Sequence, residues 1–273
     1  MAVKKVWAVY FSATGTTQKA VTRLAEHISA ALGAEYAEYD FTLPGARVEP
    51  LRFSADDVVV FGTPVYAGRV PNVLLPYLDT LEGGGALAVP VSLFGNRNYD
   101  NALIELRNIL DRKGFSPVAA GAFVGEHSFS TTLGGGRPDE RDMVLIDDFA
   151  GKAAATIKRI MAGEKPELIA VKGDPEAGYY RPQGSNGEFI DIRKVKPVVF
   201  EHCTDCKICA DVCPMGSISH DNVREYTGIC IKCGACIKKC PEHARGYDDP
   251  NYLFHKEDLE QMYARRAEPD VFV

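Results

Sequence analysis

From Val3 to about Gly163, short apolar runs alternate with helical patterns, and beyond that point the alternation stops. VWAVYF (6–11), DVVVFG (57–62), ALAVPVSLFG (86–95) and PVAAGAFVG (117–125) are continuous apolar runs of strand length, as expected of strands buried on both faces. Each is followed by a segment whose apolar residues recur every three or four positions: TTQKAVTRLAEHISAALG (16–33), VPNVLLPYLDTL (70–81), NALIELRNILDRKG (101–114) and ERDMVLIDDFAGKAAATIKRIMAG (140–163). AEYAEYD (34–40) reads as a further strand. The pattern predicts a doubly wound α/β fold, a five-stranded parallel sheet with helices on both faces.

The pattern also divides the chain. Residues 1–163 form the α/β unit, and 164–197 fade into GDPEAGYYRPQGSNGEF (173–189), a linker or a packed connecting arm. Residues 198–250 hold every cysteine, and 251–273 include HKEDLEQMYARRAE (255–268), which looks like a closing amphipathic helix before a tail. With 273 residues, 46% of them hydrophobic, the chain can bury the cores of one large or two modest domains. The net charge of -6, with both signs interspersed, leaves no basic face for nucleic acid. MAVKKVWAVYFSATG runs from a lysine pair into a short apolar stretch and a Ser/Thr/Gly turn, so it reads as a buried first strand rather than an export signal. No run approaches the ~20 apolar residues of a membrane span. A cytoplasmic protein is expected, in which clustered cysteines are more often metal ligands than disulfides.

All eight cysteines fall in two runs, CTDCKICADVCP (203–214) and CIKCGACIKKCP (230–241). Each has the spacing C-x2-C-x2-C-x3-C-P. Structural zinc with paired C-x2-C sites explains neither the third cysteine of each run nor the prolines, and disulfides explain neither. The spacing is that of two-cluster bacterial ferredoxins, in which the fourth cysteine of a run reaches the other cluster. Residues 198–250 resemble that family. The assignment this implies is Cys203, Cys206, Cys209 and Cys240 on one 4Fe-4S cluster, and Cys230, Cys233, Cys236 and Cys213 on the second. The chemistry implied is one-electron transfer.

The α/β unit carries a second signal. SATGTT (12–17) links the first strand to a helix, at the sheet edge where doubly wound folds bind ligands. Its hydroxyls, Gly15 and the helix N-terminus suit a monophosphate held by neutral donors, for the loop has no lysine or arginine. A capped helix start without ligand has the same sequence. TPVYAGRVP (63–71) and SLFGNRNYDNA (92–102) follow the third and fourth strands and reach the same edge, each with an aromatic ring beside glycine. The three loops are similar to those of the flavodoxin-like family. The resemblance implies FMN, its phosphate on Ser12, Thr14, Gly15, Thr16 and Thr17. Pro64, Val65, Tyr66, Ala67, Gly68, Asn96, Arg97 and Tyr99 are then expected to border the ring system. It also implies that the Ala67–Gly68 peptide flips to let a carbonyl meet the reduced ring. Arg69 and Arg97 are either solvated cations or neighbours of the flavin, and EHSFSTTLGGGRPDERD (126–142), with His127 and Arg137, is a flexible connection or a lid.

The order of motifs resembles flavodoxin-ferredoxin fusion proteins. Their implied role is electron transfer between FMN and two 4Fe-4S clusters, exchanged with redox proteins such as a low-potential ferredoxin or an oxidoreductase. The alternative is an FMN-dependent reductase of a small molecule, fed by the clusters. No acid, base or nucleophile set stands out in the flavin loops and no nicotinamide motif is visible, which favours the carrier.

Overall fold

The computed structural model describes residues 3–184 and 186–273. In chain order its regular elements are β1 (Lys5–Tyr10), α1 (Thr16–Leu32), β2 (Glu35–Asp40), β3 (Asp57–Pro64), α2 (Leu75–Leu78), β4 (Leu87–Phe94), α3 (Ala102–Arg112), β5 (Ser116–Pro117), β6 (Ala120–Val124) and α4 (Glu140–Met161). After these come β7 (Val198–Val199), α5 (Ile208–Asp211), α6 (Ala235–Lys238), β8 (Arg245–Gly246), α7 (Pro250–Met262) and β9 (Asp270–Phe272). The main sheet runs β2-β1-β3-β4-β6-β9, with β5 also on β4. Every pairing among the first five of that order is parallel. The order reverses beside β1, the switch point of the flavodoxin-like winding, and ligands of such sheets bind at the carboxyl ends of the strands there.

Both faces of the sheet are covered, which is why its strands are apolar without alternation. Val6, Ala8, Val58, Val60, Val89 and Val91 pack with Leu24, Ile28, Phe149 and Ile157 of α1 and α4. Val9, Val59, Phe61 and Ala88 face Leu74, Leu78, Leu106 and Leu110 on the other side. A Cβ on Gly62 of β3 would lie 2.3 Å from Val21 Cγ2, so only glycine lets α1 sit this close to the sheet. α4 begins with a reciprocal capping box in which Asp139 accepts from the Asp142 N–H and Asp142 from the Asp139 N–H.

Several expectations change in detail. The run 70–81 yields only a 3-10 turn at Asn72–Leu74 and the four-residue α2, because Pro71 and Pro76 interrupt a longer ladder. The closing helix starts earlier than its charged pattern, at Pro250, where the Asp249 side chain caps it by accepting from the Tyr252 N–H at 2.9 Å. The tail is not a loose end. Its residues Asp270–Phe272 pair antiparallel with β6 and add an edge strand to the sheet.

Asn96, at a φ of 63°, anchors that return. Its Nδ2 donates to the Tyr263 and Arg265 carbonyls at 2.8 and 2.7 Å, and its Oδ1 accepts from Ala267 N and Arg137 Nη1, both at 3.1 Å. Arg137 in turn pairs with the fully buried Asp142, which also accepts from Arg266. Arg137 and its loop are therefore a structural clasp on the C-terminal segment. Residues 169–180 are tied to the α/β unit at three points: Ile169 N bonds Pro117 O, Asp174 N bonds Asn101 Oδ1, and Tyr180 N bonds Ala67 O.

Candidate functional site

A hollow of ≈ 460 Å³ opens at the carboxyl ends of β1, β3, β4 and β6. Its wall includes Thr14, Thr16 and Thr17 of the first loop, Pro64, Val65 and Tyr66 after β3, and Leu93, Phe94 and Gly95 at the end of β4. Gly125 to Ser128 after β6 complete the strand-end contribution, and Cys233 enters from the cysteine segment. Thr16 and Thr17 open a 17-residue helix with no acidic residue in its first turn, so its N-terminus favours an anion. Ser12 stands behind this loop, its Oγ accepting from Gln18 N at 3.0 Å, and Gly15 holds the turn at a φ of 92°.

The ring-side expectations divide. Pro64, Val65 and Tyr66 are in the wall, whereas Ala67, Gly68, Asn96, Arg97 and Tyr99 are not. Ala67 and Gly68 are the centre of a two-residue turn with positive φ at both, closed by reciprocal bonds between Tyr66 and Arg69. The Ala67 carbonyl already accepts from Tyr180 N at 2.8 Å and the Gly68 carbonyl from Asn101 N at 3.0 Å. A flip of their peptide would therefore break a hydrogen bond to the arm. Arg69 pairs with Glu105, Arg97 pairs with Asp100 and lies over the Tyr180 ring, and Tyr99 Oη donates to Asp270. These side chains fasten the arm and tail instead of lining the hollow.

The loop 125–128 supplies what the sequence leaves undecided. His127 is in the wall, its Nδ1 accepting from Phe129 N at 3.1 Å. Burial, then the charge of Lys238 and the neighbouring His255, push its pKa down to about 3, so the ring stays neutral. Glu126, also in the wall, is ion-paired to Lys238, whose Nζ further donates to the His127 and Ser130 carbonyls.

Two copies of one backbone path carry the cysteines, offset as Cys203 is from Cys230. Positive φ recurs at Asp205 and Lys232, at Lys207 and Gly234, and at Gly216 and His243. Helices α5 and α6 follow at matching positions. Cys213 Sγ accepts from Ser217 N at 3.4 Å and Cys240 Sγ from Ala244 N at 3.3 Å. A hollow of ≈ 310 Å³ is lined by Cys203, Cys206, Cys209 and Cys240, a set that takes its fourth member from the other run. The remaining four lie within electrostatic reach of one another: burial pushes the Cys233 and Cys236 thiols up to about 12, with Cys230 and Cys213 adding to the rise in both.

These residues fit iron-sulfur clusters. All eight cysteines are free, and no three His, Cys, Asp or Glu side chains among the described residues converge on a single ion. Thiols so deeply buried ionise only with a metal's charge beside them. Arg245 lines the first hollow, 3% exposed; its Nη2 donates to the Val223 carbonyl at 3.0 Å and to Tyr226 Oη at 3.1 Å, while Nε and Nη1 are buried without a hydrogen-bond partner among the described residues. A buried guanidinium with no carboxylate partner is costly, and the anionic clusters that Cys209 and Cys236 would each help to hold would supply its counter-charge. The segment's own apolar core is small, with Cys209, Ala210, Ile218, Val223 and Cys236 as its buried members. Removing iron with an anaerobic chelator is therefore expected to abolish hydrogen-exchange protection across residues 203–245 while β3 and β4 stay protected. Retained protection in both would show that the segment folds without clusters.

The cysteine segment rests directly on the core of the α/β unit. Cys233 and Ala235 belong to the same buried cluster as Phe11, Phe41, Val70 and Leu74. Arg47 Nη2 donates to Pro214 O at 2.6 Å, and a Cβ on Gly234 would lie 2.6 Å from the Ser128 carbonyl. Tyr66 packs against this contact, its phenol pushed up by burial and then by Cys233 and Cys230. No helix among the described residues is long and apolar enough to cross a membrane.

Residues 202–245 match the family model of the 4Fe-4S dicluster domain. No curated protein matches the chain. A flavodoxin from the domain Archaea aligns with 56% of this chain and 99% of its own, at 14% identity and a TM-score of 0.40. A flavodoxin of Streptococcus pneumoniae TIGR4 aligns with 55% of this chain and 98% of its own, at 18% identity and a TM-score of 0.39. Rubredoxin:oxygen oxidoreductase of Desulfovibrio gigas aligns over 58% of this chain and 37% of its own, at 17% identity and a TM-score of 0.43. The strand order is that of the flavodoxin-like winding, and the cysteine segment that follows it is similar to the 4Fe-4S dicluster domain.

Proposed function

We propose that this chain is an electron-transfer flavo-iron-sulfur protein, moving electrons between two 4Fe-4S clusters and FMN and exchanging them with redox proteins. Residues 1–163 would bind FMN and 198–250 both clusters, with 164–197 as the connecting arm and 251–273 as a closing helix and tail. Thr14, Thr16 and Thr17 would hold the phosphate, with Ser12 and Gly15 shaping the loop behind them. Pro64, Val65, Tyr66, Phe94 and His127 would border the ring system. Bound FMN supplies a centre able to take one or two electrons, and the clusters supply one-electron centres.

The observation that supports this reading most is Cys233 in the wall of the strand-end hollow, because it brings a cluster ligand to the edge of the flavin site. The reductase alternative needs an acid or base at the ring. Glu126 is engaged by Lys238, and burial lowers the pKa of His127 to about 3, which leaves its ring a weak base; both favour the carrier. Protein purified without oxygen is expected to contain one FMN and about eight irons with matching acid-labile sulfide, four per cluster. Zinc as the principal metal, or a chain that binds no flavin, would refute the corresponding half.

A further inference from the structure

The two copies of the cysteine path have opposite surroundings. In the second, Cys233 and Ala235 are buried in the core beneath the flavin hollow, and Ser128 O presses so close on Gly234 that no side chain fits. In the first, the matching residues are Cys206, Ile208 and Lys207. Cys206 is exposed, the other seven cysteines being buried or half-buried. The neighbouring pairs follow the same division: Thr204 and Asp205 lie in solvent, where Ile231 is half-buried and Lys232 buried. Lys207 occupies a left-handed position, as Gly234 does, but with its side chain free to reach Asp205 at 2.7 Å.

We propose that this asymmetry gives the wire a direction in space. The Cys230, Cys233 and Cys236 copy is the inner station at the flavin, and the Cys203, Cys206 and Cys209 copy is the port where a one-electron redox protein docks. The inference rests on the flavo-iron-sulfur reading and adds which cluster faces which neighbour. The partner is a protein carrying its own surface-placed centre, because the surface around the exposed Cys206 is made of the exposed Thr204, Asp205 and Glu242 and the half-buried Lys207. Such small, mixed-charge faces suit transient electron-transfer encounters. In each encounter the partner loses one electron and the outer cluster gains it, with no bond made or broken; the reverse holds for electron exit.

The full-length holoprotein tests this in two ways. Cys236→Ser is expected to raise FMN fluorescence several-fold by removing the quenching cluster beside it, whereas Cys209→Ser leaves the emission as in the unaltered chain. Equal or reversed changes, with FMN still bound, would overturn the order of stations. The second test keeps every ligand. Glu242→Lys and Thr204→Lys are expected to slow cluster reduction by the methyl viologen radical cation roughly two- to five-fold at low salt, the difference vanishing at high salt. Glu26→Lys, on the exposed side of α1, is expected to change nothing. Equal slowing by all three variants, or by none, would overturn the port. An unaltered chain without FMN or iron would instead refute the functional reading itself.

Discussion

Replacing Cys240 by alanine is expected to cost the chain the cluster of the first cysteine run, although Cys240 belongs to the second. Cys240 shares its hollow with Cys203, Cys206 and Cys209. Iron content should fall from about eight to about four per chain, one cubane being lost. Cys213→Ala should remove the other cluster, the one beside the flavin, because Cys213 lies within reach of Cys230, Cys233 and Cys236. The two variants should therefore differ in flavin fluorescence, with Cys213→Ala the brighter. Local damage, in which each substitution destroys the cluster of its own run, would contradict the crossed arrangement.

Gly234→Val is expected to slow flavin reduction by an external one-electron donor at least tenfold while FMN and the outer cluster remain bound. Gly234 has a φ of 76°, and any Cβ there would lie 2.6 Å from Ser128 O, so the second run must lift off the hollow. Electron transfer falls steeply with added distance. The matching substitution in the first run, Lys207→Gly, should leave the rate unchanged at high salt, where the lost port charge is screened, because Lys207 already holds the left-handed position at a φ of 66°. Stopped-flow absorbance of the three proteins separates these outcomes. A Gly234→Val chain as fast as the unaltered one would show that electrons reach the flavin by another path.

The parts written into local pattern are readable without coordinates. Apolar runs of strand length announce β1, β3, β4 and β6, and the cysteine spacing marks the segment that matches the 4Fe-4S dicluster domain. The proposed phosphate loop is likewise marked by hydroxyls and glycine between a strand and a helix. What escapes is decided by partners far along the chain. Asn96, Arg97 and Tyr99 sit in the right loop for a flavin, but Tyr263, Arg265, Tyr180 and Asp270 claim them. The three-residue β9 has no periodicity of its own and becomes a strand only by pairing with β6. Cys233 at the strand-end hollow is likewise a docking event, although Gly234 in place of Lys207 is a visible difference between the two runs. His127 has a usable signal in its position directly after the last parallel strand.

The central claim is that clusters and flavin form one conducting unit, and anaerobic stopped-flow mixing with a reduced low-potential ferredoxin tests it most directly. In the full holoprotein the cluster absorbance should bleach first and the flavin band should follow, while NADH or NADPH alone should reduce neither. Flavin reduction just as fast in a chain stripped of iron, or rapid reduction by NADH without any partner, would contradict it.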